Sequence, residues 1–172
     1  KGADITSGPV LGSEILRERR TAAVVHVDSV GVGASVVDFL YTNGIQHEPI
    51  SGADKAYGRD KTGTFKFKNL RAEIHWLFRE ALDPDSSFNI ALPPDNKLKS
   101  DLTAPKYKIL EGSVIQVEKK EDIFKRLGRS TDSSDPVIYA WVQTPRRTVS
   151  IFSDDDDQFG APAPAPMREV DR

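Results

Sequence analysis

The apolar residues of the chain follow different spacings in different segments, and each spacing predicts a type of element. In the segment from Leu70 to Ala81 apolar residues recur every three or four positions, which is typical of a helix with one buried face. Asn69 is a favoured helix cap, and Asp83-Pro84 ends the pattern. The segment from Ala22 to Val27 is almost continuously apolar instead, which predicts a buried strand.

This strand is followed by a glycine-containing turn and a second helical pattern. The helix lies within residues 33–45 and ends at Asn43-Gly44, because glycine readily adopts the left-handed conformation that terminates helices. A second short strand is predicted next, over Ile45–Ile50. The order strand, helix, strand predicts a parallel pair and an α/β fold.

Shorter patterns predict the remaining elements. They are a helix in Val10–Arg20, a short strand in Phe88–Asp95, one or two helical turns in Asn96–Leu102, a hairpin around Glu111-Gly112, a helix ending at Gly128 and a last helix with Pro136 in its first turn. Residues 51–63 show no periodicity, so we expect a mobile surface loop. Residues 145–172 are acidic and then alternate Ala and Pro, so we expect one domain over 1–144 followed by a flexible tail.

Composition excludes several classes of protein. The 172 residues, 38% of them hydrophobic, suffice for one core. With 24 basic and 26 acidic residues the net charge is −2, so overall charge does not argue for a nucleic-acid partner. The absence of cysteine excludes disulfides and zinc-thiolate sites. No apolar segment reaches membrane-spanning length and no signal peptide is visible, so we expect an intracellular protein.

Three aspartates are the candidate metal ligands. Asp28 follows the apolar strand and precedes a Gly-x-Gly turn, where its ordinary role would be turn formation. Asp132 and Asp135 are three residues apart at the predicted start of the last helix, so both would project from one face, with helix capping as the alternative. A strand-end carboxylate combined with a helix-start pair is a common way for an α/β sheet to present oxygen ligands to Mg²⁺ or Mn²⁺.

Four segments, in this order, resemble the nuclease domain of the large terminase subunits, the DNA-packaging motors of tailed bacteriophages. The segments are VHVDSVGVGASVVDFL, FKFKNLRAEIHWLFREAL, LPPDNKLKSDL and VEKKEDIFKRLGRSTDSSDPVIYAW. The resemblance spans Ser13 to Trp141 and implies an RNase H-like mixed sheet flanked by helices. The first strand of the family, with its first catalytic aspartate, is expected upstream of Gly2–Asp4 and therefore outside this chain.

The resemblance also implies an activity. Such domains are metal-dependent endonucleases that cut concatemeric double-stranded viral DNA by two-metal hydrolysis, so two Mg²⁺ or Mn²⁺ ions are expected. Asp28 matches the second catalytic acid of the family, and Asp132 and Asp135 match the acidic pair of its last helix. The implied partners are double-stranded DNA, an ATPase domain of the same protein, the portal and the small terminase subunit, in the cytoplasm of the infected bacterium.

Two other functions remain open at this stage. Without the first catalytic acid, cleavage by this chain is expected to be weak or absent, and the same fold would then be a DNA-holding or portal-docking module. A resolvase-like nuclease that recognises DNA structure is the other alternative. No G-x-x-x-x-G-K-[ST] segment occurs, so the packaging ATPase is not expected within these residues.

Basic residues and histidines near these segments have two interpretations each. The basic cluster at 119–129 is either a solvated helix face or a phosphate-binding patch, in which case the candidate DNA-binding residues are Lys119, Lys120, Arg126 and Arg129. His26 lies on the same strand face as Asp28 and is expected to be packed or hydrogen-bonded. His75 is expected to pack on its helix, and Arg71 and Glu73 to form structural contacts or to bind DNA.

Overall fold

The computed structural model describes residues 7–20 and 23–142 as a mixed α/β structure. The helices are α1 (Gly8–Glu18), α2 (Val32–Thr42), α3 (Leu70–Ala81), α4 (Asn96–Thr103), α5 (Lys120–Leu127) and α6 (Ser134–Trp141). The strands are β1 (Val25–Asp28), β2 (His47–Ile50), β3 (Lys66–Phe67), β4 (Tyr107–Leu110) and β5 (Val114–Val117). Within these ranges no helix has the length and apolar character needed to cross a bilayer. The predicted tail, 145–172, lies outside the described residues.

The first sheet is the predicted parallel pair. β1 and β2 run in the same direction, with Asp28 opposite Ile50 at their carboxyl ends. α2 connects them and buries Val36 and Leu40 against Val27 of β1, and apolar residues of α1 pack against the same cluster. Both strands therefore end at the same edge of the sheet, and Asp28 lies at that edge.

The second sheet contains the predicted hairpin. β4 and β5 are antiparallel, and β3 joins β5 in parallel, which gives the order β3-β5-β4. Gly112 has a φ of 73° in the connecting turn, a conformation that favours glycine. α3 covers one face of this sheet, where Phe67, Ala72 and Ile115 form a buried cluster.

α3 lies at the centre of the structure. It begins as predicted, because the Asn69 side chain accepts a hydrogen bond from the Ala72 backbone N–H at 3.1 Å. Its other apolar residues, Ile74 and Phe78, pack with Ile50 of β2 and with residues of α6. α3 therefore packs against both the second sheet and the last helix, which fixes α6 near the end of the first sheet.

The predicted strand in Phe88–Asp95 is wrong, since the structure forms no strand there. Pro93 and Pro94 have no backbone N–H to donate to a neighbouring strand, and Phe88 is largely exposed rather than part of a sheet face. The apolar residues Ile90 and Leu92 instead pack against the core formed by α3 and α6. The apolar residues of this segment therefore pack against helices and not in a sheet.

The loop at 51–63 is irregular, as predicted, but its backbone is held at several points. Glu73 accepts hydrogen bonds from the backbone N–H groups of Tyr57 and Gly58, both at 2.9 Å. Glu80 accepts from the backbone N–H of Lys61, and the Asp60 carboxylate accepts from Phe65 at 2.7 Å. Two carboxylates of α3 thus hold this loop, and the sequence pattern does not predict these contacts.

Candidate active site

Asp28 is both a turn former and a member of a charged cluster. Its Oδ1 accepts a hydrogen bond from the Val30 backbone N–H at 3.2 Å, which is the turn role expected of an aspartate before glycine. Its Oδ2 lies 3.3 Å from the ammonium nitrogen of Lys120, which is 92 residues away in sequence. The turn therefore orients one carboxylate oxygen and leaves the other to meet a cation.

The Gly-x-Gly segment after Asp28 has a steric explanation. A Cβ atom at Gly33 would lie 1.6 Å from the backbone oxygen of Asp28, so only glycine allows the first turn of α2 to approach the strand end this closely. Gly31 adopts a φ of 66° just before the helix. These glycines fix the backbone position of Asp28.

Asp135 reaches the same place from the first turn of α6. Its side chain is 13% exposed, and its Oδ2 lies 2.7 Å from the Lys120 ammonium nitrogen. The Asp28 and Asp135 oxygens that contact this nitrogen are therefore at most about 6 Å apart, because their separation cannot exceed the sum of the two contact distances. The structure brings these two predicted residues together at the edge of the first sheet.

Lys120 lies between the two carboxylates. It is the first residue of α5, which begins three residues after the end of β5. Burial disfavours its charged form, but the hydrogen bond and charge of Asp135 and the charge of Asp28 outweigh burial and raise its pKa. The ammonium group therefore stays charged and occupies the position between the carboxylates that any shared cation would need.

Arg71 and His75, one turn apart on α3, contact the other oxygen of Asp135. The distances to Asp135 Oδ1 are 3.5 Å from Arg71 Nη1 and 3.7 Å from His75 Nε2. Burial and the Arg71 charge lower the pKa of His75 to about 3, although the Asp135 charge opposes them, so His75 is neutral at physiological pH. Arg71 alone therefore carries the positive charge on this side of Asp135.

The sequence predicts that His75 packs on its helix. In the structure its side chain also lies against Asp135. Its Nε2 atom and the Nε and Nη2 atoms of Arg71 are buried without a hydrogen-bond partner among the residues that the structure describes. The sequence signal that points to this pair is its spacing, since positions 71 and 75 lie on one face of α3.

Two further residues border the cluster. Tyr139 lies one turn after Asp135 on α6, and burial together with the nearby Asp28 charge raises its pKa. Its backbone oxygen lies 2.5 Å from His26 Nδ1. The prediction that His26 is hydrogen-bonded is confirmed, and this contact ties β1 to α6, the two elements that carry Asp28 and Asp135.

Asp132 does not join this cluster. The structure starts α6 at Ser134, so the prediction that Asp132 and Asp135 project together from one helix is wrong for Asp132. Its carboxylate is exposed and accepts a hydrogen bond from the Ser130 hydroxyl. Over residues 7–20 and 23–142, no three acidic or histidine side chains come together as a metal-binding group.

The predicted basic cluster is engaged mainly within the protein. Arg126 pairs with Glu118, with a shortest distance of 2.6 Å, and Arg129 pairs with the buried Asp101. Lys120 contacts the two site carboxylates as described above. Of the four residues predicted to bind DNA, Lys119 is the one that forms no ion pair with another described residue.

Asp101 positions the segment that leads into α6. Its side chain on α4 is fully buried, and it accepts hydrogen bonds from Lys97 Nζ at 2.9 Å, from the Ser133 backbone N–H at 3.2 Å and from Arg129. Burial would raise its pKa, but these donors lower it to about 2. Because Ser133 immediately precedes α6, Asp101 fixes the start of the helix that carries Asp135.

Comparison with known proteins identifies the fold. No protein-family model matches the chain, and no curated protein matches it. Among solved structures it is similar to the nuclease domain of the large terminase subunit gp2 of bacterial virus Sf6, with a TM-score of 0.53 and 16% identity. A lysine-to-alanine variant of that domain with manganese gives 0.54 and 17%, and one with calcium gives the same values. Each match covers 77% of this chain and 70% of the other chain.

The class defined by these observations is an RNase H-like α/β fold, as the sequence predicted, in which a parallel pair and a small mixed sheet are flanked by helices. More specifically, the chain has the fold of a phage terminase nuclease domain. At 16–17% identity this similarity shows the fold alone.

Proposed function

We propose that this chain is a metal-dependent DNA endonuclease domain of a phage DNA-packaging terminase. The observation that carries the proposal is the convergence of Asp28 and Asp135 on one positive charge, in a fold shared with terminase nuclease domains. These carboxylates come from elements more than a hundred residues apart in the sequence. Two carboxylates at this separation repel one another unless a cation lies between them.

The residues present fit a divalent metal ion. Carboxylate oxygens are the ligands that Mg²⁺ and Mn²⁺ prefer, and an ammonium group already occupies the position between them. Asp28 and Asp135 would hold the ion, whereas Asp132 is not assigned because it contacts neither of them. A divalent ion supplies activation of water for attack on a phosphodiester and stabilisation of the leaving oxygen.

The residues of the chain itself orient the carboxylates. Arg71 contacts Asp135 Oδ1 and so directs the other oxygen, Oδ2, toward the shared cation. Lys120 offsets part of the negative charge of the pair while no metal is bound, which lowers the repulsion between Asp28 and Asp135. The ammonium group also competes with a metal ion for the same oxygens, so we propose that Lys120 moves aside when metal binds.

The terminase assignment extends the proposal to partners and place. Double-stranded DNA would be the substrate, with an ATPase domain of the same protein, the portal and the small terminase subunit as partners. The cytoplasm of an infected bacterium is the corresponding location. These partners follow from the proposed terminase function and stand or fall with it.

One observation favours a second candidate function. In the described part of the chain, two candidate metal-binding carboxylates, Asp28 and Asp135, lie together, and no third acidic side chain joins them. A site with two acidic ligands binds metal more weakly than one with three. The alternative is therefore a DNA-holding or portal-docking module with the same fold and no cleavage of its own.

Nicking of supercoiled plasmid in Mn²⁺ distinguishes these candidates. The variant Asp28→Asn keeps the shape of the side chain and removes its charge. The matched control is Asp38→Asn, because Asp38 is exposed on α2 and forms no ion pair with a described residue. We expect slow nicking by the parent chain and by Asp38→Asn, because the first catalytic acid of the family is expected outside this chain. Asp28→Asn should lose roughly one order of magnitude of that rate. No nicking by the parent chain would favour the non-catalytic module, and equal nicking by all three would refute the assigned site.

A further inference from the structure

A polar groove of about 240 Å³ lies beside the candidate active site. It is formed by β4, β5 and the start of α5, and its lining includes Lys106, Lys108 and Lys119. The register places Lys108 opposite Gln116. The Lys106 backbone oxygen accepts a hydrogen bond from the Glu118 backbone N–H, and the Lys106 backbone N–H donates to the Glu118 carboxylate. Because side chains alternate along a strand, Lys106 and Lys108 project from the same face of the hairpin.

The groove carries a net positive charge. Its three lysines are exposed, and none of them forms an ion pair with another residue of the described ranges. The two carboxylates in the lining are already engaged, since Glu118 pairs with Arg126 and Asp122 lies 3.9 Å from Lys125. The lysine ammonium groups are therefore available to a ligand with several negative charges.

The groove lies near the charged cluster, because one of its lining residues directly precedes Lys120 in the chain. β5 ends at Val117 and α5 begins at Lys120, so Lys119 in the groove is adjacent in sequence to the lysine that contacts Asp28 and Asp135. A linear polyanion that lies along the hairpin face would therefore reach the site at the start of α5.

The chemistry of the groove favours a phosphate backbone. The chain as a whole has a net charge of −2, so binding to DNA requires a local concentration of basic residues. Lysines act as point charges that contact phosphate oxygens without selecting a base. The other large groove, about 370 Å³ beside α4, is lined mainly by apolar residues such as Leu92, Pro93 and Leu102 and offers no comparable charge.

We propose that Lys106, Lys108 and Lys119 form the surface that holds the backbone of duplex DNA next to the active site. The proposal rests on the proposed function, because it takes DNA as the substrate. It differs from the prediction made from the sequence, which included Arg126 and Arg129. Those two side chains pair with Glu118 and Asp101 instead.

The test is fluorescence anisotropy with a labelled 30-base-pair duplex, in EDTA so that no cleavage occurs. The variant is the double substitution Lys106→Gln and Lys108→Gln, and Lys119 is left intact because it begins the turn into α5. The matched control is Lys55→Gln with Lys99→Gln, two exposed lysines outside the groove, which changes the net charge by the same amount. Circular dichroism and thermal unfolding of both variants check that the fold is retained.

Each phosphate contact contributes about 0.9 to the slope of log K against log salt. We therefore expect the groove variant to lower this slope by about 2 and to weaken binding by on the order of tenfold to a hundredfold at 0.1 M salt. The control should bind as the parent chain does. Equal effects of the two variants, or no effect of either, would overturn the proposal.

Plasmid nicking separates this result from the proposed function. A chain that binds duplex through the groove but never nicks in Mn²⁺ would refute the endonuclease and leave the groove assignment intact. A chain that nicks in Mn²⁺ but binds duplex equally well with and without Lys106 and Lys108 would refute the groove assignment alone.

Discussion

Replacement of Asp101 by asparagine tests whether a buried carboxylate holds the segment before α6. The side chain is fully buried and accepts charge-assisted hydrogen bonds from Lys97 and Arg129 and one bond from the Ser133 backbone N–H. Asparagine keeps the shape but removes the charge. Because Lys97 and Arg129 are themselves partly exposed and can turn to water, the expected cost is about 2 to 4 kcal/mol.

The pKa of Asp101 gives a second route to this magnitude. A pKa lowered from 3.8 to about 2 corresponds to roughly 2 kcal/mol of folding free energy. Because the folded-state pKa is below the unfolded-state value, this stabilisation is fully present above pH 3.8 and is lost as the pH falls through about 2. The difference between the parent chain and Asp101→Asn should therefore be largest near neutral pH and should shrink between pH 4 and pH 2.

Urea unfolding followed by circular dichroism at several pH values measures this difference. Asp38→Asn, with an exposed carboxylate on α2, is the control and should change the unfolding free energy by less than about 0.5 kcal/mol. A loss below about 1 kcal/mol for Asp101→Asn at pH 7, or a loss that stays constant down to pH 2.5, would contradict the role assigned to Asp101.

Three further predictions concern the strand end, the loop and the shared cation. Gly33→Ala puts a methyl group 1.6 Å from the Asp28 backbone oxygen, so α2 must shift, and urea unfolding should show a loss of about 1 to 3 kcal/mol; an unchanged stability would contradict the steric argument. Glu73→Ala removes the acceptor of two loop N–H groups, so hydrogen exchange in residues 51–63 should accelerate, and unaltered exchange would show that other contacts hold the loop. Lys120→Gln removes the ammonium group that competes for the carboxylates, so calorimetry should show tighter Mn²⁺ binding, and weaker binding would show that Lys120 supports the metal instead.

Elements with local signals were predictable from the sequence. The helical period of α3 and its Asn69 cap are contained within a few turns, and the cap bond is present in the structure. Gly128 ends α5 in the left-handed conformation, as its position after the last basic residues indicated. The parallel pairing of β1 and β2 was also predictable, because one helix connects two predicted short strands.

Features that depend on distant contacts were not predictable. The segment around Phe88 has the apolar content of a strand, but only the folded structure shows that it packs on helices. Asp132 is three residues before Asp135, but helix spacing applies only within a helix, and α6 begins after Asp132. The spacing of Arg71 and His75 places them on one face of α3, but their contact with Asp135 depends on how α3 packs against α6.

The central claim is that Asp28 and Asp135 share one divalent ion. The most direct test is calorimetric titration with Mn²⁺, carried out on the parent chain, Asp28→Asn, Asp135→Asn and the double variant. We expect each single substitution to weaken binding by about tenfold or more, and the double variant to lose less affinity than the product of the two single losses, because both residues act on the same ion. Mn²⁺ affinities of the single variants equal to that of the parent chain would contradict the claim.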